Sequence, residues 1–213
     1  MRKSRGETAQ TRERIIACAS ALFRERGLDN VSVAGVMARA GLTHGGFYAH
    51  FASREELVAE AIRYALVQSA QRIYLSALKN GDKPGYSRLI KVYLTAEHRD
   101  TPDRGCVIAS LGPEIARSSA ASADVFSQGF GQLINLLAQL SPERNAKARK
   151  AHVLSVISAL SGALILARSV TGEQASEEIL DSVRLVLLAD EKRRQGELEQ
   201  RRTRARKKTA QAA

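Results

Sequence analysis

SVAGVMARAGLTHGGFYAHF, residues 32–51, is the stretch that decides the fold of this 213-residue chain. Ser32 is a good helix N-cap, because its hydroxyl can accept from an unpaired amide of the first turn, and Val33, Val36, Met37 and Ala40 then repeat at helical spacing. A short helix with one buried face is predicted over 32–40. Gly41 follows, where a helix stop favours a residue that tolerates positive φ, and Thr43 stands two positions on to cap a second helix over 43–50. Phe47 and Phe51, one helical turn apart, are expected to anchor that helix inward. Thr43, His44, Gly45, Tyr48 and His50 are then left to face outward. Two helices separated by so short a turn form a helix-turn-helix, whose second helix reads the major groove of duplex DNA.

The flanks extend the pattern. FASREEL places Ser53 and Glu56 in a capping box, so a third helix starts at once, and Arg54 sets a cation beside its first amides. Upstream, TRERIIACASALFRERG reads as a helix over 9–26 with Ile15, Ile16, Ala19, Leu22 and Phe23 on one apolar stripe, ended by Gly27. Cys18, beside Ala19 and Leu22, is expected in the core.

In this order of helices, with AGLTHGGFYAHF and then SREEL, the chain resembles the N-terminal domain of the TetR family of one-component transcriptional regulators, over about residues 9–62. The resemblance implies that Tyr48 and His50 contact phosphates. It implies that Arg54 stands where the family usually has a phosphate-binding lysine, and that Thr43, His44 and Gly45 begin the recognition helix. Ser32 sits where the family often has Ser or Thr on the DNA backbone. Gly46 replaces a residue that is commonly Thr or Ser, and Ala34 lacks polar reach where some members read a base. Two adjacent glycines weaken a helix by roughly 1 kcal/mol each relative to alanine, so the reader is expected to firm up on DNA.

Charge agrees with such a partner. Residues 1–54 hold nine Lys or Arg against four Asp or Glu, residues 191–213 nine against three, and the remainder balances, so the net charge of +11 lies at the two ends. Basic ends on a neutral middle suit a polyanion, because neutralised phosphates release counterions. Arg2, Lys3 and Arg5 form an arm that either enters a minor groove or is simply solvated.

The rest of the chain, 44% hydrophobic overall, can bury a substantial core. Few prolines and no alternating strand pattern point to an all-α fold: an N-terminal three-helix helix-turn-helix domain and a larger C-terminal helical domain for an effector and for dimerisation. The expected helices beyond the reader are 54–79, 86–98, 104–118, 122–140, 143–170 and 174–190, with breaks at 80–85, 99–103, Ser141-Pro142 and Gly172. The expected domains are a basic arm over 1–8, the DNA-binding domain over 9–54, the helical domain over 55–190 and a basic tail over 191–213. The tail is expected to be disordered or a frayed helical extension. Its cations Arg201, Arg202, Arg204, Arg206, Lys207 and Lys208 either add nonspecific DNA attachment or solubilise the chain.

No apolar segment follows the charged N-terminus as in a signal peptide, and two cysteines make no disulfide framework, so a cytoplasmic, nucleoid-associated protein is expected. The run Val153–Ala167 is short for a bilayer and reads as a helix packed on protein. In the family the last two long helices pair with those of a second subunit in a four-helix bundle; the alternative is a monomer that buries the same faces internally.

No HExxH, phosphate loop, zinc-spaced cysteine pair or GxSxG elbow occurs, so no enzyme, cofactor or metal site is expected, and His98 and His152 read as surface or pocket residues. Cys106, in the first turn after RDTPD, lies where helix amides favour a thiolate, with Arg104 close in sequence. This Gly-Cys resembles that of electrophile- and oxidant-sensing members of the family. The alternatives are that Cys106 only packs, or that a noncovalent apolar ligand is held among Val107, Leu111, Phe126, Phe130 and Leu164. The reading is therefore a homodimeric repressor on a palindromic operator, released by a small molecule or an electrophile. The competing reading is a nonspecific architectural DNA-binding protein with no effector.

Overall fold

The computed structural model describes residues 5–78, 85–141, 143 and 145–211, and every regular element among them is helical. Arg2 and Lys3 lie outside the described residues, as do the side chains of Arg5, Arg201, Arg202, Arg206, Lys207 and Lys208. The chain packs as two units, one formed by residues 1–72 and 97–133, the other by 73–96 and 134–213.

The first unit begins with α1 (Arg5–Arg26), whose Ile15, Ile16, Ala19, Leu22 and Phe23 are all buried, while Cys18 is only partly covered. Gly27 ends it at φ +84°, its amide returning to the Phe23 carbonyl at 2.8 Å. That is the left-handed stop a glycine makes at low cost. Helix α2 (Val33–Arg39) carries Val36 and Met37 inward, and the Ser32 hydroxyl accepts from the Gly35 amide at 3.1 Å. Gly41 turns the chain at φ +68°.

The next segment departs from expectation. His44–Ala49 is a 3-10 helix rather than an α-helix, and the Thr43 side chain makes no capping bond. The Gly46 amide instead closes on the Thr43 carbonyl at 3.1 Å. Gly45 and Gly46 remove the side-chain restraint that favours α-helix, and over six residues few i to i−4 bonds are available to offset it.

Helix α3 (Arg54–Leu78) starts as a modified capping box. The Glu56 amide donates to the Ser53 hydroxyl at 3.1 Å, and the Glu56 carboxylate accepts from Ala52, one residue upstream of the cap, at 2.7 Å. After α5 (Ala96–Asp100), α6 (Val107–Ile115) follows a 3-10 turn at Pro102–Arg104. The single helix expected over 104–118 is thus shorter, because the Gly105 amide is committed to the Pro102 carbonyl. Val107, Leu111 and Ile115 of α6 belong to the same core as α1, α2 and α3.

In the second unit, α4 (Tyr86–Tyr93) ends where the backbone at Leu94 leaves helical geometry and takes that side chain fully into the interior, so the helix expected over 86–98 is split in two. Helix α7 (Ala120–Ala138) joins the two units in sequence. Helices α8 (Ala146–Ser169) and α9 (Glu173–Gln211) pack side by side, and α4 packs on α9. Helix α8 is long and apolar enough to cross a membrane, yet half of its most apolar window is buried within the protein. The Tyr86 hydroxyl donates to the Leu137 carbonyl at 2.7 Å, and burial raises its pKa. His152, expected as a surface or pocket residue, is buried, with Nε2 2.5 Å from the buried Glu191 carboxylate.

Helix α9 runs well past 190. The tail, expected to be disordered or a frayed helical extension, is helical as far as Gln211. Beyond the Glu191 anchor the helix is laced by Arg194–Asp190 at 2.7 Å and Arg193–Glu197 at 3.1 Å, the spacing at which opposite charges support a helix.

Candidate nucleic-acid interface

Phe47 and Phe51 fasten the reader segment. Both are fully buried and stacked, their ring centroids 5.5 Å apart. With Phe47 turned inward, its neighbour must turn outward. Tyr48 is 73% exposed and touches Phe47 only edge-on. Thr43, His44 and Gly45 are exposed as well, while Gly46 is half-buried over Met37. Ser32 is exposed, and its oxygen is already engaged with the Gly35 amide. Ser32, Thr43, His44 and Tyr48 are thus four exposed potential donors, and the sequence between residues 30 and 54 holds no carboxylate.

His50 is half-buried. Its carbonyl accepts from Arg12 Nε at 3.4 Å, and the same guanidinium lies over the Phe51 ring and bonds Glu56 at 3.0 Å. Arg12 was not singled out by sequence, because its partners lie about forty residues away, yet it orients the end of the reader. The Glu56 carboxyl is held below its usual range, first by the Ala52 amide and then by Arg12. Arg39, an exposed cation in the last turn of α2, also escaped the sequence reading.

Arg54 takes an inward course. Its guanidinium donates to the Leu28 carbonyl, approaches that of Val31 at 3.5 Å and lies 6.0 Å over the Phe23 ring. A guanidinium has five N–H donors, so a side chain so tied retains others for an anion.

The residues expected to sense or hold an effector fall in different places. Cys106 is the N-cap residue of α6 and is buried, its amide donating to His98 Nε2 at 3.0 Å. Val107 and Leu111 are inside the core of the first unit, with Phe126 packed against them and stacked on Phe130 at 5.9 Å. Leu164 is buried in the second unit. Sequence gave no sign of Arg24, which is buried beside this segment and donates to the Gly105 carbonyl at 2.9 Å. Burial, and then the neighbouring Arg72, lower its pKa to about 10.

Residues 15–61 match the family model of bacterial regulatory proteins, tetR family. The chain is 40% identical over 58 residues to the HTH-type transcriptional repressor KstR2 of Mycobacterium tuberculosis. That alignment covers 27% of this chain and 29% of KstR2. A TetR-family regulator from Cytophaga hutchinsonii superposes over 88% of this chain and 98% of its own, with a TM-score of 0.68 at 19% identity. Reduced NemR of E. coli does so over 82% and 95%, with a TM-score of 0.64 at 20% identity. The sequence agrees with the tetR family over residues 15–61, and the helical order of these solved regulators agrees across nearly the whole chain.

Proposed function

We propose that this chain is a DNA-binding transcriptional regulator, not an enzyme: a homodimeric repressor that holds a palindromic operator through residues 32–54 and leaves it when an effector acts on the helical domain beyond 55. The observation that carries the reading is the outward-facing reader, with Tyr48 73% exposed between the buried Phe47 and Phe51. Tyr48, His50 and Arg54 are assigned to phosphates, together with Ser32, and Thr43, His44, Gly45 and Gly46 to the groove. Phosphate contacts set register and base contacts set sequence, so the two groups should fail differently when altered.

The test is selection of a binding site from a random duplex pool, followed by affinity for that site and for unrelated DNA near physiological salt. A regulator shows a specificity ratio of thousands; a ratio near unity favours the architectural reading. In the double variant Tyr48→Ala, His50→Ala the selected site should be lost while the helical content stays. Unchanged affinity in that variant overturns the assignment.

For the effector, Cys106 is assigned as the responsive group. It follows directly on Gly105, whose carbonyl holds Arg24 of α1, so a group added to this buried thiol must displace the segment that α1 is bonded to. N-ethylmaleimide should release operator DNA from the wild type and not from Cys106→Ser. Equal release favours a noncovalent ligand instead.

A further inference from the structure

The final stretch of α9 is unlike the other long helices. Over 192–211 it carries nine Lys or Arg against two Glu, and its apolar residues are Leu198, Ala205 and Ala210 alone. Lys192, Arg193 and Arg204 are exposed. A helix polar all round is stable only when ion pairs lace it or a partner covers it. The lacing is present near the Glu191 anchor, where Asp190 and Glu197 engage Arg193 and Arg194. It stops at Glu199. Beyond that point Arg202 and Arg206, and Arg204 and Lys208, stand four apart with no acid among them, a spacing at which like charges weaken a helix. A polyanion removes that repulsion.

We propose that residues 192–211 of α9 are a second, sequence-independent contact for duplex DNA, separate from the reader at 32–54. The helix is anchored by the buried Glu191–His152 contact and extends about 30 Å beyond it at 1.5 Å per residue. Its charge density therefore lies along a rod and not on a collapsed coil. The composition selects the partner. An interfacial membrane helix needs an apolar face, which this segment lacks. Single-stranded RNA is held by stacking on aromatic rings, and 191–213 contains none. The backbone of a duplex asks only for closely spaced cations. The inference rests on the DNA-binding reading above, which brings the whole chain to DNA.

The experiment compares full-length wild type with a variant in which Arg201, Arg202, Arg204, Arg206, Lys207 and Lys208 are all glutamine, a residue that keeps helix propensity. Binding to an unrelated duplex is measured between 50 and 200 mM salt. Each phosphate contact contributes about 0.9 to the slope of log affinity against log salt, so the slope should fall by about 3 to 5 in the variant, with the thermal midpoint unchanged. Glutamine at Lys91, Arg117 and Lys150, exposed cations elsewhere, should change it by less than about 1. Equal slopes for wild type and tail variant overturn the proposal, as does an equal effect per charge in the control. A tail-dependent sedimentation with phosphatidylserine vesicles and no change on duplex overturns it in favour of a membrane. If the wild type binds no duplex at all, the DNA-binding reading falls and this one with it. If it binds a selected operator and the slopes are equal, only this one falls.

Discussion

The Leu28 amide donates to Glu114 Oε2 at 2.5 Å, a bond that ties the residue just past the end of α1 to the last turn of α6. The turn is shaped around that carboxylate. A Cβ on Gly27 would come within 2.9 Å of Glu114 Oε1, at a backbone φ of +84° that side chains disfavour. Replacing Glu114 with alanine orphans the Leu28 amide and should lower stability by about 1–3 kcal/mol in urea denaturation. Glu114→Gln keeps an acceptor and should cost less. A Glu114→Ala loss below that of Glu114→Gln would show that the carboxylate is not what holds the turn.

Arg24 makes the companion tie at the other end of α6. It spans Ser20, Gly105 and Gln68 from a buried position, and its lowered pKa of about 10 records what the burial of its charge costs. Arg24→Ala should destabilise by about 2–3 kcal/mol, because carbonyls otherwise held by a charged donor lose it. Arg24→Lys should recover only part of this, since a single ammonium cannot reproduce the fork. Equal stability of wild type and Arg24→Ala in denaturation would refute the tie.

Gly45 and Gly46 bear on the reader. A Cβ on Gly45 meets nothing within 4 Å and one on Gly46 meets only the Met37 methyl at 3.7 Å, so packing requires neither glycine. Gly45→Ala should stabilise the segment by up to about 1 kcal/mol and shift it from 3-10 towards α-helical geometry. Slower amide exchange over 44–50 is the readout. Faster exchange would mean that the 3-10 form is imposed by tertiary packing and not by the glycines.

What was legible in the sequence was local. Ser32, Gly41, the Phe47–Phe51 pair and the Ser53–Glu56 cap act within four residues, and each does so in the structure. What was not legible crosses the chain. The inward turn of Arg54 depends on the Leu28 carbonyl, the burial of His152 on Glu191, and the roles of Arg24 and Glu114 on partners more than eighty residues away. The break at Leu94 follows from that side chain entering the core, which an apolar helical pattern does not reveal. Apolar periodicity ends at 190, whereas ion pairs carry helix α9 on.

Acid should loosen the domain through Glu56. Its folded pKa is lowered by the Ala52 amide and Arg12, so its contribution to stability is present above the unfolded carboxyl value and is lost as pH falls through the folded one. Denaturation midpoints should therefore drop below about pH 4.5, and Glu56→Gln should drop less over the same range. The side chain is 38% exposed, which keeps the effect modest. Parallel acid profiles for the two proteins would remove Glu56 from the account.

Assembly gives the last test. Leu160 of α8 is fully buried within its own unit, so a charge there should unfold the protein and report nothing about a dimer. Leu166 on α8 and Leu185 and Val186 on α9 are different: they are 56%, 72% and 66% exposed on two helices that already pack together. A twofold partner would bury such a face against its own copy. Leu185→Glu with Val186→Glu should then leave the helical circular dichroism intact, turn a dimer into a monomer in sedimentation at micromolar concentration, and abolish cooperative binding to a two-half-site operator. Leu160→Glu should lose its helical signal under the same conditions. A wild type that sediments as a monomer, or a Leu185, Val186 double variant that remains dimeric, removes this face as the interface and with it the twofold mechanism built on it.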